Sequence, residues 1–120
     1  MKTVLIADDK ATSRELVRTV LEKDGYSVME AADGIEALRN ARESMPDVII
    51  LDLQMPGLDG FAVLHELRKD QRFAATPIMA LTASAMQGDR ERALTVGFNG
   101  YVTKPIRLAM LRSEVERLLR

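Results

Sequence analysis

The chain has 120 residues, 47% of them hydrophobic and 29% charged, which fits one soluble globular domain with a real core and excludes a disordered or low-complexity chain. With 17 Lys and Arg against 18 Asp and Glu, the formal net charge is -1, so no basic excess exists to neutralise phosphates and nucleic-acid binding is excluded as the main task. The absence of cysteine excludes disulfides and thiolate metal sites; with no signal peptide in MKTVLIADDK and no apolar run long enough to span a membrane, a cytoplasmic protein is expected.

In chain order, Val4 to Ala7 reads as the first strand. The helix after it carries Leu16, Val17, Val20 and Leu21 on one face, opens at a Thr12–Glu15 capping-box spacing and stops at Gly25. Ser27 to Ala31 forms the second strand. A helix with Ile35, Leu38 and Ala41 on its inner face follows, opened by Asp33 with Glu36 and stopped before Pro46. Val48 to Leu51 is the third strand, wholly apolar, and the loop QMPGLDG leads to a helix with Phe61, Leu64 and Leu67 on one face. Ile78 to Leu81 is the fourth strand; the helix after it, roughly Ala85 to Val96, is the least apolar, carries Gly88 and ends at Gly97. Gly100 to Thr103 is the fifth strand, and Leu108, Leu111, Val115 and Leu118 form the stripe of a last helix. No repeat, low-complexity stretch or linker interrupts the pattern, so residues 1–120 are expected to be a single domain, and Met1 with its short lead-in is expected to be a natural start.

Regular alternation of strand and helix implies a parallel sheet with helices on both faces. Five such units with right-handed crossovers predict an α/β, flavodoxin-like doubly wound five-stranded sheet. In such sheets ligands sit outside the carboxyl ends of the strands. At those ends the sequence places Asp8 and Asp9, Asp52, Thr82, and Lys104 with Pro105. Each has an ordinary explanation alone: a helix-opening acid, a turn residue, a cap, a solvated lysine. Together on one edge they point to a shared site. Three converging carboxylates repel one another unless a cation sits among them. Oxygen-only ligands suit Mg²⁺ better than zinc. A lysine and a hydroxyl nearby complete the parts that phosphoryl transfer needs, with a carboxylate as nucleophile.

At these residues the sequence resembles the receiver domain of two-component response regulators. The pieces that carry the resemblance are VLIADD, VIILDLQMPGLDG, IMALTA and GYVTKPI, in order and at receiver-like spacings across essentially the whole chain. The resemblance implies the strand order 2-1-3-4-5. It implies that Asp52 accepts a phosphoryl group from a histidine kinase or phosphotransfer protein. Asp8, Asp9, Asp52 and the backbone carbonyl of Gln54 would hold Mg²⁺, and Lys104, followed by a cis Lys104–Pro105 bond, would bind a phosphoryl oxygen. Thr82 and Tyr101 would form the two-state switch, with small Ala83 leaving room for the phosphoryl oxygens. The fourth helix, fifth strand and fifth helix, with Arg90, Leu94 and Met110, would meet a downstream protein, the chain being a monomer or a phosphorylation-linked homodimer. Lys10 is a cation where many receivers have a neutral residue, and Gln54 and Ser84 occupy positions that tune phosphoryl lifetime. His65, the one histidine, sits mid-helix and reads as structural.

Rival readings are weaker. A haloacid-dehalogenase-like phosphatase needs a second Asp two residues after the nucleophile as general acid, and that position is Gln54. A flavodoxin proper needs amides and hydroxyls for a flavin phosphate where this chain has DDKATS. A phosphorylation-independent interaction module is opposed by the intact acid set, and a domain cut from a larger regulator by the start at Met1. The expected protein is a stand-alone switch rather than an enzyme with turnover, catalysing only its own phosphoryl transfer and slow dephosphorylation.

Overall fold

The computed structural model describes residues 1–83 and 88–120. The elements are β1 (Thr3–Ala7), α1 (Ala11–Lys23), β2 (Ser27–Ala31), α2 (Gly34–Ser44), β3 (Val48–Asp52), α3 (Gly60–Lys69), β4 (Ile78–Thr82), α4 (Asp89–Val96), β5 (Gly100–Thr103) and α5 (Leu108–Leu118). All four strand pairings are parallel and the sheet order is β2-β1-β3-β4-β5. The expected doubly wound order is therefore present.

Side chains that alternate along each strand feed two separate cores. Leu5, Ala7, Ile49, Leu51, Ile78 and Ala80 pack with α2, α3 and Ala93 of α4, whereas Val4, Ile6, Ile50, Met79 and Leu81 pack with α1 and α5. Burial on both faces explains why β3 and β4 read as continuous apolar runs, for every residue of each is buried. At about 1.5–3 kcal/mol for each fully buried large aliphatic side chain, these central strands are the rigid part of the molecule.

Several local expectations change. α1 starts at Ala11 with Lys10 as its N-cap and no side-chain cap, so the Thr12–Glu15 capping box is not formed. The reason lies one residue upstream, where the Lys10 N–H donates to Asp8 Oδ1 at 2.9 Å and turns the chain into the helix early. Asp33 does cap α2, accepting from the Glu36 N–H at 2.8 Å. Ile35, however, is 70% exposed, because Gly34 lies so close against Leu58 that α2 turns Ala37, Leu38 and Ala41 inward instead. Leu16 and Leu108 are also exposed, at the rims of their helices' apolar stripes. Residues 85–87 of the expected fourth helix, and Ser84, lie outside the described residues. A short 3-10 turn, Gln71–Phe73, was not expected, and it buries Phe73 completely.

α2 ends on Met45 in the left-handed region, at φ 47°. An L side chain there is strained, whereas glycine is not. Met45 is itself exposed, so little packing depends on it. Met45→Gly is expected to raise stability by about 0.5–1 kcal/mol, read as a higher urea midpoint at unchanged m. A lower midpoint would mean that the Met45 side chain contributes more than the strain removes.

Candidate functional site

Parallel order brings the ends of β1, β3, β4 and β5 to one edge, and the acids stand there because each strand delivers its last side chains just as it leaves the core. Asp8 is fully buried at the end of β1, Asp9 is exposed, and Asp52 is buried as the last residue of β3. One carboxylate oxygen of each lies within 4.8 Å of the others. Lys104, just past β5, reaches back with its ammonium 2.8 Å from Asp8 Oδ2 and 2.8 Å from Asp52 Oδ2. Its backbone N–H donates to the Thr82 carbonyl at 2.7 Å, and the Lys104–Pro105 bond is cis.

The rest of Asp52 is tightly held. The Gln54 N–H donates to its Oδ1 at 2.9 Å, while the Gln54 side chain is exposed. Behind it, α3 begins so close that a methyl group at Gly60 would meet the Asp52 carbonyl oxygen at 2.5 Å. Only glycine fits at that approach. Asp59 caps α3 by accepting from the Ala62 N–H at 2.9 Å, which fixes where the loop after Asp52 ends.

Burial pushes the Asp52 carboxyl above the usual carboxylate range; the Asp8 charge adds to this, while the Lys104 ammonium and the Gln54 N–H pull the other way. For Lys104, burial lowers the pKa, but bonding to Asp52 and Asp8 outweighs it and the net shift is upward. Three carboxylates thus cluster where one ammonium pairs with Asp8 and Asp52, leaving negative charge that one divalent cation would balance. Asp8 Oδ2 is buried, and the Lys104 ammonium is its ion-pair partner. Three clustered carboxylates offering only oxygen ligands fit a hard cation such as Mg²⁺. Asp8, Asp9 and Asp52 are the residues available to hold it.

Thr82 is buried at the end of β4, beside Thr103 of β5. Tyr101 lies two residues earlier on β5, opposite Ala80, and is half-buried against the core. Ala83 is exposed at the rim. Arg90 and Leu94 of α4 and Met110 of α5 are exposed as expected. Lys10 is exposed, and among the described residues it makes no ion pair, so it does not neutralise the acids through a direct contact. His65 is exposed on α3 and belongs to no group of potential metal ligands among the described residues. Sequence reasoning did not pick out Gly60 or Arg14, whose guanidinium holds the Asp8 carbonyl; a glycine that starts a helix is the one signal that was available for the first.

The family model for the response regulator receiver domain matches residues 4–116. This chain belongs to that family. The receiver domain is 44% identical over 117 residues to the probable transcriptional regulator ycf27 of Guillardia theta; the match covers 98% of this chain but only 45% of that relative, so the chain spans under half of its length. Among solved structures, the chemotaxis response regulator CheY4 of Vibrio cholerae superposes with a TM-score of 0.93 at 35% identity, over 99% of both chains. The receiver domain of the sensor histidine kinase PA1611 from Pseudomonas aeruginosa, whose structure has a magnesium ion coordinated in the active-site cleft, superposes at 0.89 with 36% identity, over 98% of this chain and 97% of that one. Receivers thus occur both in regulators and in kinases. No helix among the described residues is long and apolar enough to cross a membrane.

Proposed function

We propose that this receiver domain is a phosphorylation-activated switch that accepts a phosphoryl group on Asp52 from a phosphohistidine of a histidine kinase or phosphotransfer protein. The observation that carries the reading is Lys104, whose single ammonium is shared between Asp8 and Asp52 at an otherwise acidic edge. The Asp52 carboxylate attacks phosphorus; the P–O bond forms as the P–N bond breaks, and the imidazole leaves with its electron pair. Asp8, Asp9, Asp52 and the Gln54 carbonyl would hold Mg²⁺, which would supply charge neutralisation for the phosphoryl oxygens. The magnesium ion in the active-site cleft of the PA1611 receiver supports the choice of metal.

Lys104 supplies a fixed positive charge that needs no solvent reorganisation to meet a phosphoryl oxygen. Thr82 offers its hydroxyl from the end of β4, and Tyr101 follows on β5, so charge added at Asp52 biases the pair between two arrangements. Exposed Leu94 and Met110 on the α4–β5–α5 side supply the surface for a downstream protein in the cytoplasm, with the chain a monomer or a phosphorylation-linked homodimer. Gln54 stands where a phosphatase would place its general acid, so the chain does not turn over small phosphomonoesters.

Incubation with acetyl phosphate and Mg²⁺, followed by intact mass, tests this directly. One adduct of about 80 Da is expected in the wild type and none in Asp52→Asn. An adduct that persists in Asp52→Asn would refute the site. Absence of both adduct and Mg²⁺ binding would leave a phosphorylation-independent interaction module, and catalytic phosphate release would revive a phosphatase.

A further inference from the structure

We propose that Arg14, aligned by Glu30, is a positioning residue that clamps the main chain of Asp8 and so presents the Asp8 and Asp9 carboxylates to the cation. The inference rests on the metal-assisted reading above and assigns it a further residue. Arg14 lies on α1, outside the acid cluster, with its side chain only 17% exposed. Its Nη1 donates to the Asp8 carbonyl at 2.7 Å, and its Nε donates to Glu30 Oε1 at 3.0 Å.

Glu30 does not wander. It sits on β2 opposite Ile6, its other oxygen accepts from Arg18 at 2.8 Å, and its carbonyl accepts from Asn40 of α2 at 3.2 Å. Bonding to Arg18 first, and to Arg14, holds its carboxyl below the usual range. A carboxylate built into the sheet therefore fixes one arm of the guanidinium, and the planar fork aims the other at Asp8.

Asp8 is consequently held at every polar atom. Its N–H donates to Ala31 on β2 at 3.1 Å, its carbonyl accepts from Arg14, its Oδ1 accepts from Lys10, and its Oδ2 faces Lys104. Asp9 follows immediately, in a three-residue connection between β1 and α1 that has no other anchor of this kind among the described residues. Without the guanidinium, the Asp8 carbonyl loses its charged donor and the peptide that leads to Asp9 is free to rotate. Partners that orient metal ligands in this way typically change metal affinity by factors of about 10–100 when removed.

The sign of the effect separates positioning from simple electrostatics. Arg14 is a cation close to a cation site, so if its charge alone mattered, its removal would tighten metal binding. A positioning role predicts the reverse. In calorimetric titration of the full chain with Mg²⁺, Arg14→Gln is expected to bind about tenfold more weakly than wild type. Glu30→Gln should lose less, since glutamine still accepts from the Arg14 Nε–H. Arg14→Lys should recover part of the loss, because an ammonium reaches one of the two partners. Arg112→Gln, which breaks an exposed ion pair with Asp24 remote from the site, should bind like wild type.

Unchanged or tighter Mg²⁺ binding in Arg14→Gln overturns the assignment. Amide hydrogen exchange of the metal-free proteins supplies a reading that does not depend on metal. In Arg14→Gln the Asp8 and Lys10 amides should exchange about tenfold faster while those of Ile49 to Leu51 keep their rates. A uniform increase that includes β3 would mean general destabilisation and would also overturn the clamp. If the wild type itself fails to bind Mg²⁺, the metal part of the proposed function is wrong, and the exchange rates alone decide whether Arg14 holds Asp8.

Discussion

Arg68→Ala is expected to destabilise the domain by about 2 kcal/mol, more than the loss of a fully exposed arginine, because it strands several part-buried acceptors at once. Nη1 of Arg68 donates to the carbonyls of Phe73 and Thr76 at 2.8 and 2.9 Å, and Nη2 donates to the Gly97 carbonyl and Asn99 Oδ1 at 3.0 and 2.7 Å. Asn99 Oδ1 also accepts from the Ile78 N–H, so the guanidinium and one side-chain amide together tie α3 to the starts of β4 and β5. Burial lowers the Arg68 pKa, as expected of a cation that these carbonyls hold in place of a carboxylate. Arg68→Lys should recover little, since an ammonium cannot serve four acceptors in a plane. Arg112→Ala, which loses only its exposed pair with Asp24, should cost at most about 1 kcal/mol. Urea denaturation of the three variants decides the matter; equal midpoints for Arg68→Ala and Arg112→Ala would show that water replaces the guanidinium without penalty.

The second large effect is a gain. In the absence of divalent metal, Asp52→Asn is expected to be more stable than the wild type by on the order of 1 kcal/mol, the scale of one buried electrostatic change. Burial and the neighbouring Asp8 charge both disfavour ionised Asp52, and Lys104 keeps Asp8 as a partner after the substitution. Because the folded-state pKa of Asp52 is raised, the protonated form favours folding below the unfolded value of about 3.9, and that contribution is lost as pH rises through the folded value. At neutral pH the penalty is present in full, so this is where the variant should gain most. Melting temperature against pH should therefore show the two proteins converging toward acid and separating toward neutrality. Mg²⁺ should raise the melting temperature of the wild type and act much less on Asp52→Asn. A variant that melts below the wild type at pH 7 without metal would refute the account.

The contrast between these residues shows what the chain reveals on its face. The site acids were legible because β1 and β3 are uninterrupted apolar runs, and a polar residue just past such a run can only lie on the edge where parallel strands end. Strand order followed from the resemblance and agrees with the observed pairing. The β-strand limits differ by no more than a residue at either end, since an apolar run has abrupt limits. Helical stripes were less exact: periodicity placed Leu16, Ile35 and Leu108 on inner faces, but it fixes the direction of a stripe and not its width, so residues at its rim reach solvent. The 3-10 turn around Phe73 is too short to show a period at all. Arg14 and Arg68 escaped notice for a different reason. Their main partners are backbone oxygens, and a carbonyl looks the same whatever residue carries it.

The contact between Gly60 and Asp52 has a mechanical consequence. With α3 resting on the Asp52 carbonyl, β1 and β4 bonded on either side of β3, and both faces covered, the main chain at Asp52 has no direction in which to yield. A group attached to its carboxylate would therefore have to be accommodated by the side chains around it and not by the main chain of β3.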